Sequence, residues 1–168
     1  MASLHLNVLH LHLTDWAAVR WASNVAPGLI QGATTEVHRQ YSRQDIEELV
    51  TFAHEHGVVL IPEMDVPGHA SSFRALEEGD AGVEFCSSKR QQLFNDPYHH
   101  TLSILERLAS EMNNLFEGTP IIHVGGDETE EQGTCKKKDI SELTRSMQKH
   151  VAESLLKIPM VWNEEQTT

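Results

Sequence analysis

The chain has 168 residues, 39% of them hydrophobic, and a formal net charge of −12 at pH 7. That length suits one domain with a real core and is too short for two ordinary ones. A surface this acidic repels a phosphate backbone, which argues against nucleic acid as a partner, and no apolar run approaches the roughly 20 residues of a membrane span.

The opening stretch, MASLHLNVLHLHLTD, has no basic n-region and no small-residue cleavage site, so it reads as the edge of folded structure rather than a signal peptide. Its apolar positions alternate over residues 4–13, which predicts the first strand. Next comes a helix with clear boundaries. Ser42 can cap it and Asp45 stands three residues on, an Asp version of the capping box. Ile46, Leu49, Val50 and Ala53 then give one apolar face, and Gly57 suits the left-handed position that ends a helix. Residues 58–62 predict a second strand. A second helix is expected from Asp96 as cap and Pro97 at its first position, burying Leu102, Leu105, Ala109, Met112 and Phe116. Residues 120–124 read as a third strand. A third helix follows, from near residue 141 towards 156, with Leu143, Met147, Val151 and Leu155 inward, and residues 158–162 read as a fourth strand.

Strand alternating with helix implies parallel strands joined by crossovers. Long connections follow Asp15 and run from residue 64 to 95, and loops of that length in a compact domain are usually functional or disordered. The 11 histidines would nearly cancel the negative charge if protonated, a weak pointer to an acidic setting. Cys86 and Cys135 lack metal-ligand spacing and could form one disulfide or stay free.

Polar clusters fall at the C-terminal end of every expected strand. They are His10, His12 and Asp15 in LHLHLTD; Glu63, Asp65 and His69 in PEMDVPGH; His123, Asp127 and Glu128 in HVGGDE; and Trp162 and Glu164 in VWNEE. In a parallel α/β barrel that end is the face where active sites are built. Asp127 and Glu128 would point to opposite faces of a regular strand, but Gly125 and Gly126 let the chain turn so that both can face one pocket. Such a pair would push one carboxyl towards the protonated state that a general acid needs. The plainer alternative makes Asp127 a helix cap and Glu128 a solvated first-turn acid. Likewise, Asp15 could merely end a strand, His69 could be a turn residue, and Trp162 could belong to the core. His10 and His12 share a strand face and could reach one metal, but no third ligand has a fixed spacing to them, so no metal or other cofactor is expected. Glu63 and Asp65 read as polar groups of the pocket floor or barrel end.

HVGGDE resembles the signature of glycoside hydrolase family 20, the β-N-acetylhexosaminidases. NVLHLHLTD, YSRQDIEELVTFAHEHGVVLIPEMDVPGHA, the helix ending in EMNNLF before PIIHVGGDE, and PMVWNEE all resemble blocks of that family, in its order and over most of the chain. The resemblance implies an α/β fold, a partial TIM (β/α)₈ barrel of about four parallel βα units occupying residues 1–168. It also implies a retaining, substrate-assisted hydrolysis in which the substrate's 2-acetamido oxygen attacks the anomeric carbon. Glu128 would then be the acid/base and Asp127 the holder of the acetamido group. Asp15 with His69 would be a supporting pair, and Trp162 an aromatic wall against the sugar. The implied partner is a glycan or glycoconjugate with a terminal N-acetylhexosamine, and the implied setting is lysosomal or secreted.

The chain departs from the family pattern at Trp16, where a second acid is common, and in GTCKKKDI, which lacks the usual Trp. The family's first strand, bearing an Arg, and its later strands, bearing a Tyr, an Asp, a Trp and a Glu, have no counterpart. A whole barrel takes about 250 residues. A truncated barrel with two unpaired edges, marginal stability and little activity is therefore expected, and an inactive sugar-binding or interaction protein is the alternative function.

Overall fold

The computed structural model describes residues 1–32, 40–77, 83, 85, 92–93, 100–129 and 136–162. Four parallel strands lie side by side in chain order: β1 (Val8–His12), β2 (Val59–Glu63), β3 (Ile121–His123) and β4 (Ile158–Met160). Helix α1 (Arg43–Glu55) joins β1 to β2, α2 (His100–Leu115) precedes β3, and α3 (Lys137–Lys149) precedes β4. Consecutive parallel neighbours, each separated by a helix, are the repeating unit of a (β/α)₈ barrel, and this chain supplies about half of one.

Local chemistry explains the helices. Ser42 accepts the Asp45 backbone N–H, and the Asp45 carboxylate accepts the Ser42 N–H, so the expected capping box is complete. Gly57 follows with φ +65°. Helix α1 buries Ile46 and Ala53; α2 buries Leu105, Leu108, Ala109 and Met112; α3 buries Ile140, Leu143 and Met147. Apart from Ile140, these stripes meet Leu60 and Ile122 of the sheet and Val124 just past β3 in one core. Because strand residues alternate, the opposite face of the sheet is left for His10, His12, Glu63 and His123.

Several boundaries differ from the sequence expectation. Strand β1 begins at Val8, opposite Val59 at the start of β2; the Asn7 carbonyl accepts the Val59 N–H, while residues 2–4 form a 3₁₀ turn and Leu4 and Leu6 are exposed. Helix α3 starts at Lys137 rather than near 141, with no side-chain cap, and passes into a π turn at His150–Ser154. Asp96 and Pro97, like both cysteines and Glu164, lie outside the described residues.

The long connections are packed. After β1 the chain buries Trp21 and Leu29, and after β2 it buries Met64, Val66, Phe73 and Leu76. The buried Glu111 of α2 pins the first connection by accepting from Trp21 Nε1, Ser23 Oγ and the N–H groups of Asn24 and Val25. The 3₁₀ turns Pro27–Gly32 and Ser71–Leu76 pack against each other. Among the described residues, β1 and β4 each have one strand neighbour, and Val8 and Ile158 are exposed on these edges.

Candidate active site

Strand register builds the site. His12 pairs with Glu63 and Glu63 with His123, so one row of the sheet carries three ionisable side chains at its C-terminal edge. Glu63 is fully buried at the centre. Its Oε2 accepts from His12 Nδ1 at 2.7 Å, and its Oε1 accepts from Trp162 Nε1 at 2.8 Å. His10 Nε2 lies 3.0 Å from Oε2 but out of line for a hydrogen bond. His123 Nδ1 accepts the Gly125 N–H at 3.0 Å and stands 3.1 Å from Oε1. Burial alone would raise the Glu63 pKa. Hydrogen bonding from His12, with His123 beside it, outweighs burial and holds the carboxyl well below the usual range. The same hydrogen bond to Glu63 pushes His12 up to about 9, against burial and with help from the charges of Glu63, Asp15 and Asp65. His10 moves down, because burial exceeds the attraction of Glu63.

A second group forms where three loops meet. His69 Nδ1 donates to Asp15 Oδ1 at 2.9 Å, and His69 Nε2 lies 3.3 Å from Glu128 Oε2. Both His69 (φ 50°) and Glu128 (φ 49°) occupy the left-handed region, a strained setting for side-chain-bearing residues that is common at functional sites. Burial would lower the His69 pKa, but the Asp15 hydrogen bond and the charges of Asp65, Asp15 and Asp127 prevail and raise it. Glu128 is exposed, whereas Asp127 is half-buried, with its Oδ1 shut off from solvent and lacking a protein partner.

Behind Asp127 lies the fully buried Asp65. Its Oδ1 accepts the Gly126 N–H at 3.1 Å, and its Oδ2 has no partner. Burial first, and the Asp127 charge second, push Asp65 up to about 7. The turn that brings these groups together requires glycine. A Cβ on Gly125, at φ +69°, would fall 1.8 Å from Asp65 Oδ1, and one on Gly68 would fall 2.6 Å from the Asp127 carbonyl.

The expected site residues therefore converge: Asp15, His69 and Glu128 form one contact chain, and Asp127 joins it beside Asp65 and His69. Trp162, just past β4, is 44% exposed, so it is not a core residue. Its ring lies 4.7 Å from that of His123 and 5.4 Å from that of His10.

The sequence assigns Glu63 and Asp65 no role beyond polar groups of the pocket floor or barrel end, and it offers His10 and His12 as only two donors on one strand face. The third donor it lacked comes from the fold, since donor atoms of His10, Glu63 and His123 lie within 4.8 Å of one another, as do those of His12, Glu63 and Asp65, and of Asp65, His69 and Asp127. In the two sets that contain Glu63, His12 and Trp162 already engage both of its oxygens, and in the third His69 Nδ1 already donates to Asp15. The signal that could have revealed Glu63 as a hub was His-x-His on one strand beside a carboxylate at the end of the next.

The chain also resembles known proteins. Residues 1–166 match the profile of the glycosyl hydrolase family 20 catalytic domain. The β-hexosaminidase subunit beta of Entamoeba histolytica is 28% identical over 98% of this chain and 30% of its own length. The β-hexosaminidase A of Caenorhabditis briggsae is 33% identical over 76% of this chain and 24% of its own. A variant β-hexosaminidase of Streptomyces plicatus, solved with its product GlcNAc, superposes with a TM-score of 0.78 at 26% identity, over 96% of this chain and 34% of that one. The chain thus spans about a quarter to a third of the relatives it matches. With the profile matched nearly end to end, the chain belongs to glycoside hydrolase family 20, as part of its catalytic barrel.

Proposed function

We propose that this chain bears the acid/base centre of a β-N-acetylhexosaminidase acting on glycans that end in a β-linked N-acetylhexosamine. The observation that carries this reading is the chain Asp15–His69–Glu128 lying beside an Asp127 whose Oδ1 has no protein partner. Glu128, exposed and backed by His69, suits protonation of the glycosidic oxygen as the bond to the leaving group breaks. In the same step the substrate's acetamido oxygen attacks the anomeric carbon and closes an oxazolinium ring. The half-buried Asp127 carboxylate, through its other oxygen, can accept the acetamido N–H and offset the positive charge of that ring. Water, deprotonated by Glu128, then opens the ring at the anomeric carbon and returns the original configuration. Trp162, exposed and fixed through its indole N–H, suits the apolar face of the sugar. The setting proposed for such an enzyme is lysosomal or secreted; at lysosomal pH Asp65, held up to about 7, would be protonated.

The test is hydrolysis of an aryl N-acetyl-β-glucosaminide by the chain and by Glu128→Gln. General acid/base loss should lower kcat by about 10²–10⁴-fold. An undiminished Glu128→Gln variant would refute the assignment. No turnover by the unaltered chain, together with a melting temperature raised by N-acetylglucosamine, would replace hydrolysis with sugar binding.

A further inference from the structure

The contacts behind Glu128 do not stop at Asp15. His12 Nε2 lies 3.3 Å from Asp15 Oδ2, while His12 Nδ1 donates to Glu63 Oε2 at 2.7 Å. Carboxylate and imidazole therefore alternate without a break through Glu63, His12, Asp15, His69 and Glu128, from a fully buried side chain to an exposed one. An imidazole facing a carboxylate at each nitrogen satisfies both only when both nitrogens carry protons. Each oxygen of Asp15 is also assigned: Oδ2 faces His12, and Oδ1 accepts from His69 Nδ1 and from the Trp16 N–H at 2.6 Å.

We propose that His12 and Glu63 are positioning residues for the proton donor: Glu63 fixes His12 as an imidazolium, and His12 holds Asp15 in the rotamer that keeps His69 aimed at Glu128. The catalytic consequence rests on the hydrolase reading above, whereas the protonation states do not.

The surroundings agree. His12 is faced by Glu63 and Asp65 from β2 and its following loop, and by Asp15 from the end of its own strand. His69 presents its ring edge-on at 6.2 Å, and His10 stands beside His12 on β1. Glu63 is faced by His10, His12, His123 and the Trp162 indole. His69 is faced by Asp15, Asp65, Asp127 and Glu128. Without His12, the buried Glu63 would lose its strongest partner, and Asp15 could turn away from His69.

The first arm follows the imidazole nitrogens of the full chain, ¹⁵N-labelled, by NMR against pH. His12 should keep both protons through neutrality and release one near pH 9. In His12→Gln, whose amide can still donate to Glu63, the titration of His69 should shift downward as Asp15 loosens. Glu63→Gln should bring the His12 titration back towards 6.5. Should that buried variant fail to fold, the other two measurements still decide.

The second arm compares His12→Gln with the unaltered chain on aryl N-acetylglucosaminides of increasing leaving-group basicity. Loss of kcat should grow from about 3-fold for an activated phenol to about 50-fold for a poor one, with KM held within about twofold. A purely structural role would give an equal loss on every substrate. Release of the His12 proton near 6.5 in the unaltered chain, an unmoved His69 in His12→Gln, or an equal loss across leaving groups each overturns the proposal. An unaltered chain that cleaves none of these substrates refutes the hydrolase reading instead, and the nitrogen titrations then decide the positioning claim alone.

Discussion

Replacing Gly125 by alanine tests whether the turn before Asp127 and Glu128 is as tightly specified as its geometry indicates. The backbone there has φ +69°, and the new Cβ would fall 1.8 Å from Asp65 Oδ1 and 2.5 Å from Asp65 Cα. A left-handed backbone costs an alanine about 1–2 kcal/mol. The clash involves backbone as well as side chain, so rotating Asp65 cannot relieve it. Moving Asp65 away breaks its hydrogen bond with the Gly126 N–H, about 1–3 kcal/mol for a buried acceptor left unsatisfied. Together these give about 2–5 kcal/mol, a large fraction of the roughly 5–15 kcal/mol that holds a typical domain folded. Gly118 is the control: its φ is +86°, but nothing lies within 4 Å of a Cβ placed there, so Gly118→Ala should cost only the backbone share. Urea denaturation of the three proteins, with the same slope, measures both. Equal midpoints for Gly125→Ala and Gly118→Ala would refute the close approach of Asp65 to the turn.

Other expectations follow from the buried charges. Glu111→Ala would leave the Trp21 indole, the Ser23 hydroxyl and two backbone N–H groups without their acceptor, and should destabilise by about 2–4 kcal/mol in the same assay. Stability should also fall as pH rises from 6.5 to 9. Because folding raises His12, its contribution is fully present below 6.5 and is lost as pH passes through about 9. Taken whole, that shift would be worth about 3.4 kcal/mol, but a side chain 40% exposed is screened by solvent, leaving about 1–2 kcal/mol. Asp65, raised to about 7 by burial, acts in the same direction from 3.8 upward. Melting temperature against pH checks this, and His12→Gln should flatten the decline above 6.5. Asp127→Asn should lower kcat by about 10²-fold or more in the chromogenic assay while Glu128 stays in place, since an amide cannot offset the ring charge.

Much of the fold was legible because its signals are local. The Ser42–Asp45 capping box, the apolar stripes and the short strands each depend on neighbours a few residues apart. Helix α3 begins earlier than its sequence suggests, because Lys136 offers no side-chain cap and the run of lysines carries no start signal. The long loops gave no periodicity, yet they pack through Trp21, Leu29 and Phe73, which are fixed by tertiary contacts. For the site, the clusters at the strand ends are visible in the sequence, and the structure brings Asp15, His69, Asp127 and Glu128 close together. Glu63 remained without a role, because its bond to His12 spans 51 residues and depends on the register of β1 against β2. The left-handed backbones of His69 and Glu128 were equally hidden, since neither residue type announces them.

The central claim is that Asp127 and Glu128 serve a reaction in which the substrate supplies its own nucleophile. The direct measurement compares hydrolysis of an aryl N-acetyl-β-glucosaminide with that of its N-trifluoroacetyl analogue, whose carbonyl oxygen is a much poorer nucleophile. Substrate assistance predicts that kcat falls by about 100-fold or more on that exchange, with KM little changed. Equal rates for the two substrates would contradict the account and point to a nucleophile on the protein.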